Sequence, residues 1–460
     1  MTKNFKYVCQ NCGAQHNRWQ GQCVDCNKWN TIEAEQVESL ATFTKAQPGS
    51  TYSIENLSTT NSRTKEHMNS GTGEFDRVLG GGLVPGSTIL MGGSPGIGKS
   101  TLLLQVSNKL ASEKTCLYVT GEESIEQVKL HTERLGTTNS PLHIVMGTNV
   151  SNLVSTIENM KLELDLLVVD SIQTMFIPEI PSSPGTVSQV RASAFELISL
   201  AKRKNFVLVL IGHVTKDGQI AGPKVLEHMV DTVLYLDGES GSDYRILRSV
   251  KNRFGNVNEI GVFEMSESGL KEVKNPSSLF LSERKTNASG SVVFAGIEGT
   301  RPILVEVQAL VVPSNMIAPR RAVVGWELNR LSMVLAVLSA RYGIHLAAHE
   351  VYLNIVGGLR IMEPAIDLAI VCALISALKK NIVENNTVVF GEIGLLGEVR
   401  KVNKIEFRIK EAMKLGFKNA IVPRSNKITK KQSGEMIVNE ISHIKELESF
   451  FLHPTHAKTN

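Results

Sequence analysis

Residues 88–110 constrain the chain more than any other stretch. Thr88, Ile89, Leu90 and Met91 form a short run suited to a buried strand. Gly93, Ser94, Pro95, Gly96, Ile97, Gly98, Lys99 and Ser100 then fit the spacing G-x-x-x-x-G-K-[ST], and Thr101 to Leu110 carries apolar residues at helical spacing. Strand, glycine-rich loop and helix in that order predict a phosphate-binding loop. Glycines let backbone N–H groups turn onto phosphate oxygens, and the helix N-terminus adds the positive end of its dipole. Gly93 through Thr101 are therefore the candidate ATP contacts. In that arrangement Lys99 reaches the β- and γ-phosphates and the Ser100 hydroxyl holds Mg2+. A chance glycine turn is the alternative, and the flanking elements argue against it.

Three further strands point to hydrolysis rather than binding alone. Leu166 to Asp170 is an apolar run ending in a carboxylate, the expected position of an aspartate that orients Mg2+ through water. A helix cap or turn residue is the plainer reading of Asp170. Cys116 to Thr120 leads into Gly121, Glu122 and Glu123, and a carboxylate beside the phosphate loop can polarise an attacking water. Glu122 is the candidate base, with Glu123 as its rival and a solvated loop acid as the alternative. Phe206 to Gly212 is a third apolar run, and His213 follows it where a γ-phosphate sensor or a structural histidine would stand. Alternating strands and helices between residues 88 and 236 predict an α/β domain on a parallel sheet, whose ligands gather at the carboxyl ends of the strands.

Four of the six cysteines, Cys9, Cys12, Cys23 and Cys26, lie in the first 26 residues as C-x2-C-x10-C-x2-C. Two such knuckles supply four thiolates for a tetrahedral structural Zn2+; chance pairs or a redox pair are the alternatives. Thirty residues build little core, so metal binding would supply the folding energy, on the order of 10 kcal/mol. Residues 1–30 also carry Lys3, Lys6, Arg18 and Lys28 against Asp25, a small basic module suited to phosphate or a protein partner, or simply a solvated face. The organisation expected is a zinc finger at 1–30, a polar linker at 31–65, an ATPase domain at 66–274 and a further α/β domain at 275–460. No apolar run approaches the ~20 residues that span a bilayer, and no apolar core follows Met1, which predicts a cytoplasmic protein without a membrane partner. A net charge of +4 on 460 residues neither requires nor forbids nucleic acid.

The stretch from Gly80 to Thr101 looks like the RecA/KaiC class of ATPases. Lys251, Asn252, Arg253, Phe254 and Gly255 are similar to the signature of the bacterial RadA (Sms) family of DNA recombination and repair proteins. That family also opens with a four-cysteine zinc module and closes with a Lon-protease-like domain, so the resemblance covers essentially the whole chain. It implies a RecA-like P-loop core between a small zinc ribbon and a Lon-like α/β domain. It further implies a DNA-dependent, helicase-like ATPase that forms a ring, expected to be a hexamer, and promotes branch migration in homologous recombination. Single-stranded and branched DNA and recombinase (RecA) filaments are the implied partners. On this resemblance Glu122 is the water-activating glutamate, and Lys251 and Arg253 contact a neighbour's γ-phosphate; without it, both cations read as an ordinary basic turn. Phe176–Gln189 and Val214–Lys224 resemble channel loops that bind DNA, with Lys216 and Lys224 as candidate phosphate contacts.

After Asn275 and Pro276 the pattern changes. Strands are expected at Ser291–Phe294, Ile303–Val312, Val351–Val356 and Thr387–Phe390, and helices at Trp326–Arg341, Ala365–Leu378 and Val402–Leu415. Gly391 to Arg400, and Pro364 with its following helix, are similar to the Lon proteolytic domain. Lon-type proteolysis needs a serine and a lysine. This chain has Ala365 after the proline and Glu406 where the lysine is expected, with Lys404 and Lys410 nearby. An ATP-dependent protease is therefore disfavoured, as is a KaiC-like kinase, which gives residues 251–255 no role. Arg400, Lys401, Lys404, Arg408 and Lys410 are expected on one helix side, where duplex DNA or solvent would meet them.

Overall fold

The protein is described from a computed structural model covering residues 5–9, 13–36, 66–137, 139–213, 225–238, 243–285, 288–424 and 435–452. It divides into two compact units, Met1–Val273 and Lys274–Asn460. Lys216 and Lys224, with the rest of the expected 214–224 loop, lie outside the described residues, as does Cys12.

The first unit begins with strands β1 (Phe5–Cys9), β2 (Gln15–His16) and β3 (Ile32–Gln36), paired antiparallel in the order β2-β1-β3. The nucleotide-domain elements follow. They are α1 (Gly73–Leu79), β4 (Thr88–Gly93), α2 (Lys99–Leu110), β5 (Cys116–Thr120), α3 (Ile125–Arg134), β6 (His143–Met146), α4 (Val150–Glu158) and β7 (Leu166–Asp170). After them come α5 (Val187–Lys204), β8 (Val207–Ile211), α6 (Val225–Met229), β9 (Thr232–Asp237), β10 (Tyr244–Asn252), β11 (Ile260–Ser266) and β12 (Gly269–Glu272). Their nine strands form one sheet, ordered β12-β11-β10-β9-β4-β8-β7-β5-β6. The six from β9 to β6 run parallel, and β10 to β12 fold back antiparallel.

Successive strand side chains point to opposite faces, so a sheet covered on both sides needs apolar residues throughout. Ile89, Met91, Tyr118, Val168 and Val209 face one way, against Phe75 and Val78 of α1 and Leu102, Leu103 and Val106 of α2. Leu90, Leu117, Val119, Leu167 and Val169 face the other, against Leu153 and Ile157 of α4 and Val190, Leu197 and Leu200 of α5. No described helix is long and apolar enough to cross a membrane.

The second unit contains α7 (Pro276–Phe280), β13 (Ser291–Glu298), β14 (Arg301–Pro313), β15 (Arg321–Val324), α8 (Leu328–Val337), β16 (His349–Ile355), α9 (Asp367–Lys379), β17 (Ile382–Val383) and β18 (Thr387–Val389). It continues with β19 (Glu392–Ile393), β20 (Val399–Arg400), α10 (Ile405–Lys414), β21 (Asn419–Pro423), β22 (Ile437–Ile441) and β23 (Phe451–Leu452). Seven of these strands form a mixed sheet ordered β15-β16-β14-β13-β18-β21-β22. Helix α9 is buried along nearly its whole length, from Asp367 to Ser376.

Two ion pairs brace the turn that leads into α9. Asp367 is fully buried and takes both arms of Arg330, at 2.7 and 2.5 Å, while its Oδ2 also accepts the Ile393 N–H at 3.1 Å. Burial pushes this carboxyl up, and Arg330 opposes the shift. Arg408 is buried too. It pairs with Glu363 and donates to the Ala295 carbonyl at 2.8 Å and the Asn403 carbonyl at 3.1 Å.

The expected basic helix side is therefore corrected. Arg408 points into the unit because its guanidinium neutralises Glu363 and fills carbonyl acceptors there. Arg400 and Lys401 precede α10, which begins at Ile405, and Arg400 is held by Glu398 at 2.7 Å. Lys404 caps the helix in a left-handed conformation, with its ammonium on the Gly299 carbonyl at 3.0 Å.

Arg408→Ala leaves Glu363 without its charge partner inside the unit. The expected cost is about 3 kcal/mol, read as a lower urea midpoint for the transition of this unit. An unchanged midpoint would show that the pair contributes nothing.

Candidate nucleotide site and metal centre

The parallel ladder fixes where the candidate residues emerge. Thr120 stands opposite Asp170, Val169 opposite Leu210, and Ile211 opposite Met91. The four strands therefore end at nearly one level, and the residues after them converge on the loop that follows β4. Helix α2 starts at Lys99 with Gly98 as its N-cap (φ 111°) and no side-chain cap, so no side chain occupies the cap position that a phosphate would take.

Lys99 is 4% exposed, and its Nζ donates to the Gly93 and Ser94 carbonyls at 2.8 and 3.0 Å. Burial pulls its ammonium below the usual lysine value, while Asp170 and Glu122 act in the opposite direction. The cation is thus held against the loop, with two carboxylates close enough to be felt.

Asp170 ends β7, and its Oδ2 accepts the Tyr118 hydroxyl at 2.6 Å. Burial, and then Asp170, hold the Tyr118 phenol well above its ordinary value, so it acts as a donor; Ser100 also bonds to this phenol. The peptide between Asp170 and Ser171 is cis. Ser100 and Asp170 thus meet around one phenol as a hydroxyl and a carboxylate. Such oxygen donors fit Mg2+, which binds through one or two carboxylates and substrate phosphates.

Glu122 and Glu123 separate clearly. Glu122 Oε1 accepts the Ser171 hydroxyl at 2.6 Å and lies 3.1 Å from His213 Nε2. Glu123 turns to α3, where its carboxylate lies 3.4 Å from His131 Nδ1. Glu122, Ser171 and His213 therefore form one cluster across the ends of β5, β7 and β8.

Tyr118 and Ser171 were not singled out by sequence reasoning. A signal for Tyr118 existed: Tyr118 and Thr120 share one sheet face, and Thr120 pairs with Asp170, so period-two reasoning brings Tyr118 diagonally close to the carboxylate. Ser171 carried no such signal.

Residues 251–255 lie elsewhere. Lys251 pairs with Val233, which pairs with Leu90, whereas the loop follows Gly93, the partner of Leu236. The motif thus sits toward the amino-terminal end of β4, at the opposite end of the strand from Lys99. Lys251 Nζ donates to the carbonyls of Glu227, His228 and Val230 at 2.7, 3.4 and 2.7 Å. Partial burial, then neighbouring Arg253, pull its ammonium down. Arg253 bonds Asp231 Oδ1 at 3.1 Å, and Asp231 Oδ2 accepts the Thr88 hydroxyl at 2.8 Å. Gly255 lies against Gly80 so closely that a Cβ on either would come within 2.8 Å of the other's Cα, which explains the glycine in the motif.

The Phe176–Gln189 segment is organised by its last residue. The buried Gln189 amide accepts the Ile177 N–H at 2.9 Å and donates to the Ile180 and Ser182 carbonyls at 3.0 and 2.9 Å.

At the N-terminus two turns repeat one pattern. Gly13 N–H donates to the Cys9 carbonyl and Asn27 N–H to the Cys23 carbonyl, both at 2.8 Å. Gly13 and Asn27 take the left-handed conformation that this turn demands (φ 75° and 56°). The sulfurs of Cys9, Cys23 and Cys26 all lie within 4.8 Å of one another, Cys9 to Cys26 at 3.7 Å. Thiolates around tetrahedral zinc at ~2.3 Å stand about 3.8 Å apart, so the three fit the ion. Cys12, the fourth expected ligand, lies outside the described residues.

In the second unit, Ala365 lies in the single turn Pro364–Ile366, 2% exposed, its carbonyl accepting the Gly391 N–H at 2.7 Å. The position where a serine nucleophile would stand is a buried methyl group.

The KaiC ATPase family matches residues 68–276, the rubredoxin metal binding domain matches 7–34, and the family described as subunit ChlI of Mg-chelatase matches 329–426. The DNA repair protein RadA of Rickettsia bellii (strain RML369-C) is 54% identical over 450 residues, covering 97% of this chain and 99% of that protein. That of Bacillus subtilis (strain 168) is 48% identical, covering 92% and 93%. Among solved structures, the RadB recombinase is 21% identical with a TM-score of 0.37, covering 45% of this chain and 99% of its own.

Zinc removal gives a direct check. One zinc per chain is expected by elemental analysis, and a chelator should open residues 13–36 to protease while the nucleotide domain, whose two cores are built from other residues, stays resistant. Retention of the folded ribbon without metal would contradict the assignment.

Proposed function

The chain belongs to the RadA family of DNA repair proteins, and from that premise we propose that it is a DNA-dependent ATPase working as a closed ring, expected to be a hexamer. In this reading it processes branched recombination intermediates by helicase-like movement along DNA, alongside recombinase filaments. The observation that carries the reading is the location of Lys251 and Arg253. Both stand toward the far end of β4 from their own Lys99, so they serve a phosphate only if a second subunit brings one.

The chemistry follows from the residues. The loop N–H groups and Lys99 hold the phosphate chain of ATP, giving up the carbonyls of Gly93 and Ser94 for phosphate oxygens. Ser100 and Asp170 would hold Mg2+, which would supply positive charge to the phosphate oxygens of ATP. Tyr118 aims the Asp170 carboxylate through its hydrogen bond to Oδ2. Glu122 accepts a proton from the attacking water, and Ser171 and His213 set its direction. A neighbour's Lys251 and Arg253 then stabilise charge developing on the transferred phosphoryl group. Lys251 suits that task because its three partners are carbonyls rather than carboxylates, which leaves its charge available.

DNA engages the loops after β7 and β8, with Lys216 and Lys224 as proposed phosphate contacts. On the second unit Arg400, Lys401 and Lys404 are weaker candidates, since Glu398 and the Gly299 carbonyl already occupy two of them. With no hydroxyl at Ala365, that unit acts as a scaffold for assembly.

Hydrolysis is expected to rise when single-stranded DNA is added to pure protein; flat activity would sink the proposal. Lys99→Ala and Lys251→Ala should each be nearly inactive alone, yet mixing the two proteins should restore measurable hydrolysis. An intact donor can then face an intact loop at some interfaces. If mixing restores nothing, Lys251 acts within its own subunit.

A further inference from the structure

The zinc ribbon displays two indoles that its own fold does not use. The whole chain has three tryptophans, and Trp326 is buried. The others, Trp19 and Trp29, are 59% and 68% exposed. Both flank Gly21. A methyl group on Gly21 would stand 3.7 Å from the Trp29 ring and 3.9 Å from the Trp19 ring, so the rings line one shallow gap.

The metal turn fixes this arrangement. Cys23 N–H bonds the Lys28 carbonyl at 2.9 Å, Asn30 N–H bonds the Gly21 carbonyl at 2.7 Å, and Gln22 bridges to Trp29. Trp29 thus leaves the second knuckle directly beside Gly21. The turn that folds around zinc also sets the spacing of the rings.

A tryptophan contributes 150–250 Å² of burial when it is packed. Two left exposed on so small a module are available to a partner. The chemistry around them selects which one. Asn17, Arg18, Asp25, Asn27 and Asn30 are exposed on the ribbon, and Val24 is the one other large apolar side chain exposed among the described ribbon residues. A protein-docking face would be a continuous apolar patch. Two aromatic rings about one gap among amides, with the Arg18 guanidinium adjacent to Trp19 in the chain, match what unstacked bases and their phosphates require.

We propose that Trp19 and Trp29 form a stacking platform for the bases of single-stranded DNA, with Gly21 keeping the gap open and Arg18 meeting the backbone. The platform reads no sequence, because every base offers a π-face. It rests on the reading of this chain as a DNA-dependent ATPase. It adds a binding site on the ribbon, separate from the loops after β7 and β8.

The test uses the full-length protein and a fluorescent oligothymidylate. Trp19→Ala and Trp29→Ala should each weaken binding about ten-fold, while Trp19→Phe and Trp29→Phe retain most of the affinity. In a Trp326→Phe background, adding unlabelled oligothymidylate should quench the remaining tryptophan emission. Zinc content measured on every variant confirms that the ribbon is folded. Gly21→Val, which fills the gap, should weaken binding with zinc retained.

Wild-type protein that binds and is stimulated by DNA, with alanine variants of full zinc content binding equally well and no quenching, would overturn the platform alone. That result would leave the indoles to a protein partner. Wild-type protein that neither binds DNA nor responds to it would overturn the broader reading, and the platform with it.

Discussion

The parallel pairing of β4, β8, β7 and β5 is the constraint on which the nucleotide site depends. Hydrogen-bond register brings Thr120, Asp170, Ile211 and Met91 to nearly one level. The two apolar cores lock that register, because a slip by one residue would turn every side chain to the wrong face. Lys99, Glu122, Ser171 and His213 belong to segments far apart in sequence. They meet because four strands end together.

The same sheet keeps the 251–255 hairpin away from that end. Strand β10 runs antiparallel to β9, so its final residues travel back toward the start of β4. There Asp231 ties Thr88 to Arg253, and the Gly80–Gly255 contact closes the turn. The hairpin is firmly attached to its own subunit while its cations lie beyond reach of their own phosphate loop. A motif built in this way is suited to act between subunits, which gives the proposed ring a physical motive.

The second unit places a buried methyl group where a protease-like sequence pattern calls for a serine. Arg330 with Asp367 and Arg408 with Glu363 flank the turn that holds Ala365. Asp367, Glu363 and Arg408 each have a charged partner and a backbone group, and Arg330 is held by Asp367 alone among the described residues, which meets the need of the buried charges for partners. The turn is braced, and nothing in it offers a nucleophile. Arg408 also shows why charge counts along a helix mislead. Its spacing from Lys404 implied a shared outward face, yet the Glu363 carboxylate and two backbone carbonyls decided its direction.

The sequence by itself determined the phosphate loop, the four strands that end around it, the spacing of the cysteines and the absence of a hydroxyl at Ala365. These are local: glycine spacing, apolar periodicity and residue chemistry suffice to read them. Tertiary structure alone decided that Glu122 rather than Glu123 faces the site, since adjacent residues leave a strand end in different directions. It also decided that Tyr118 and Ser171 support the two carboxylates, that Arg408 is internal, and that Lys251 stands toward the opposite end from Lys99. Those outcomes depend on strand register and on which carboxylate or carbonyl lies within hydrogen-bond reach, quantities that no spacing along a chain contains.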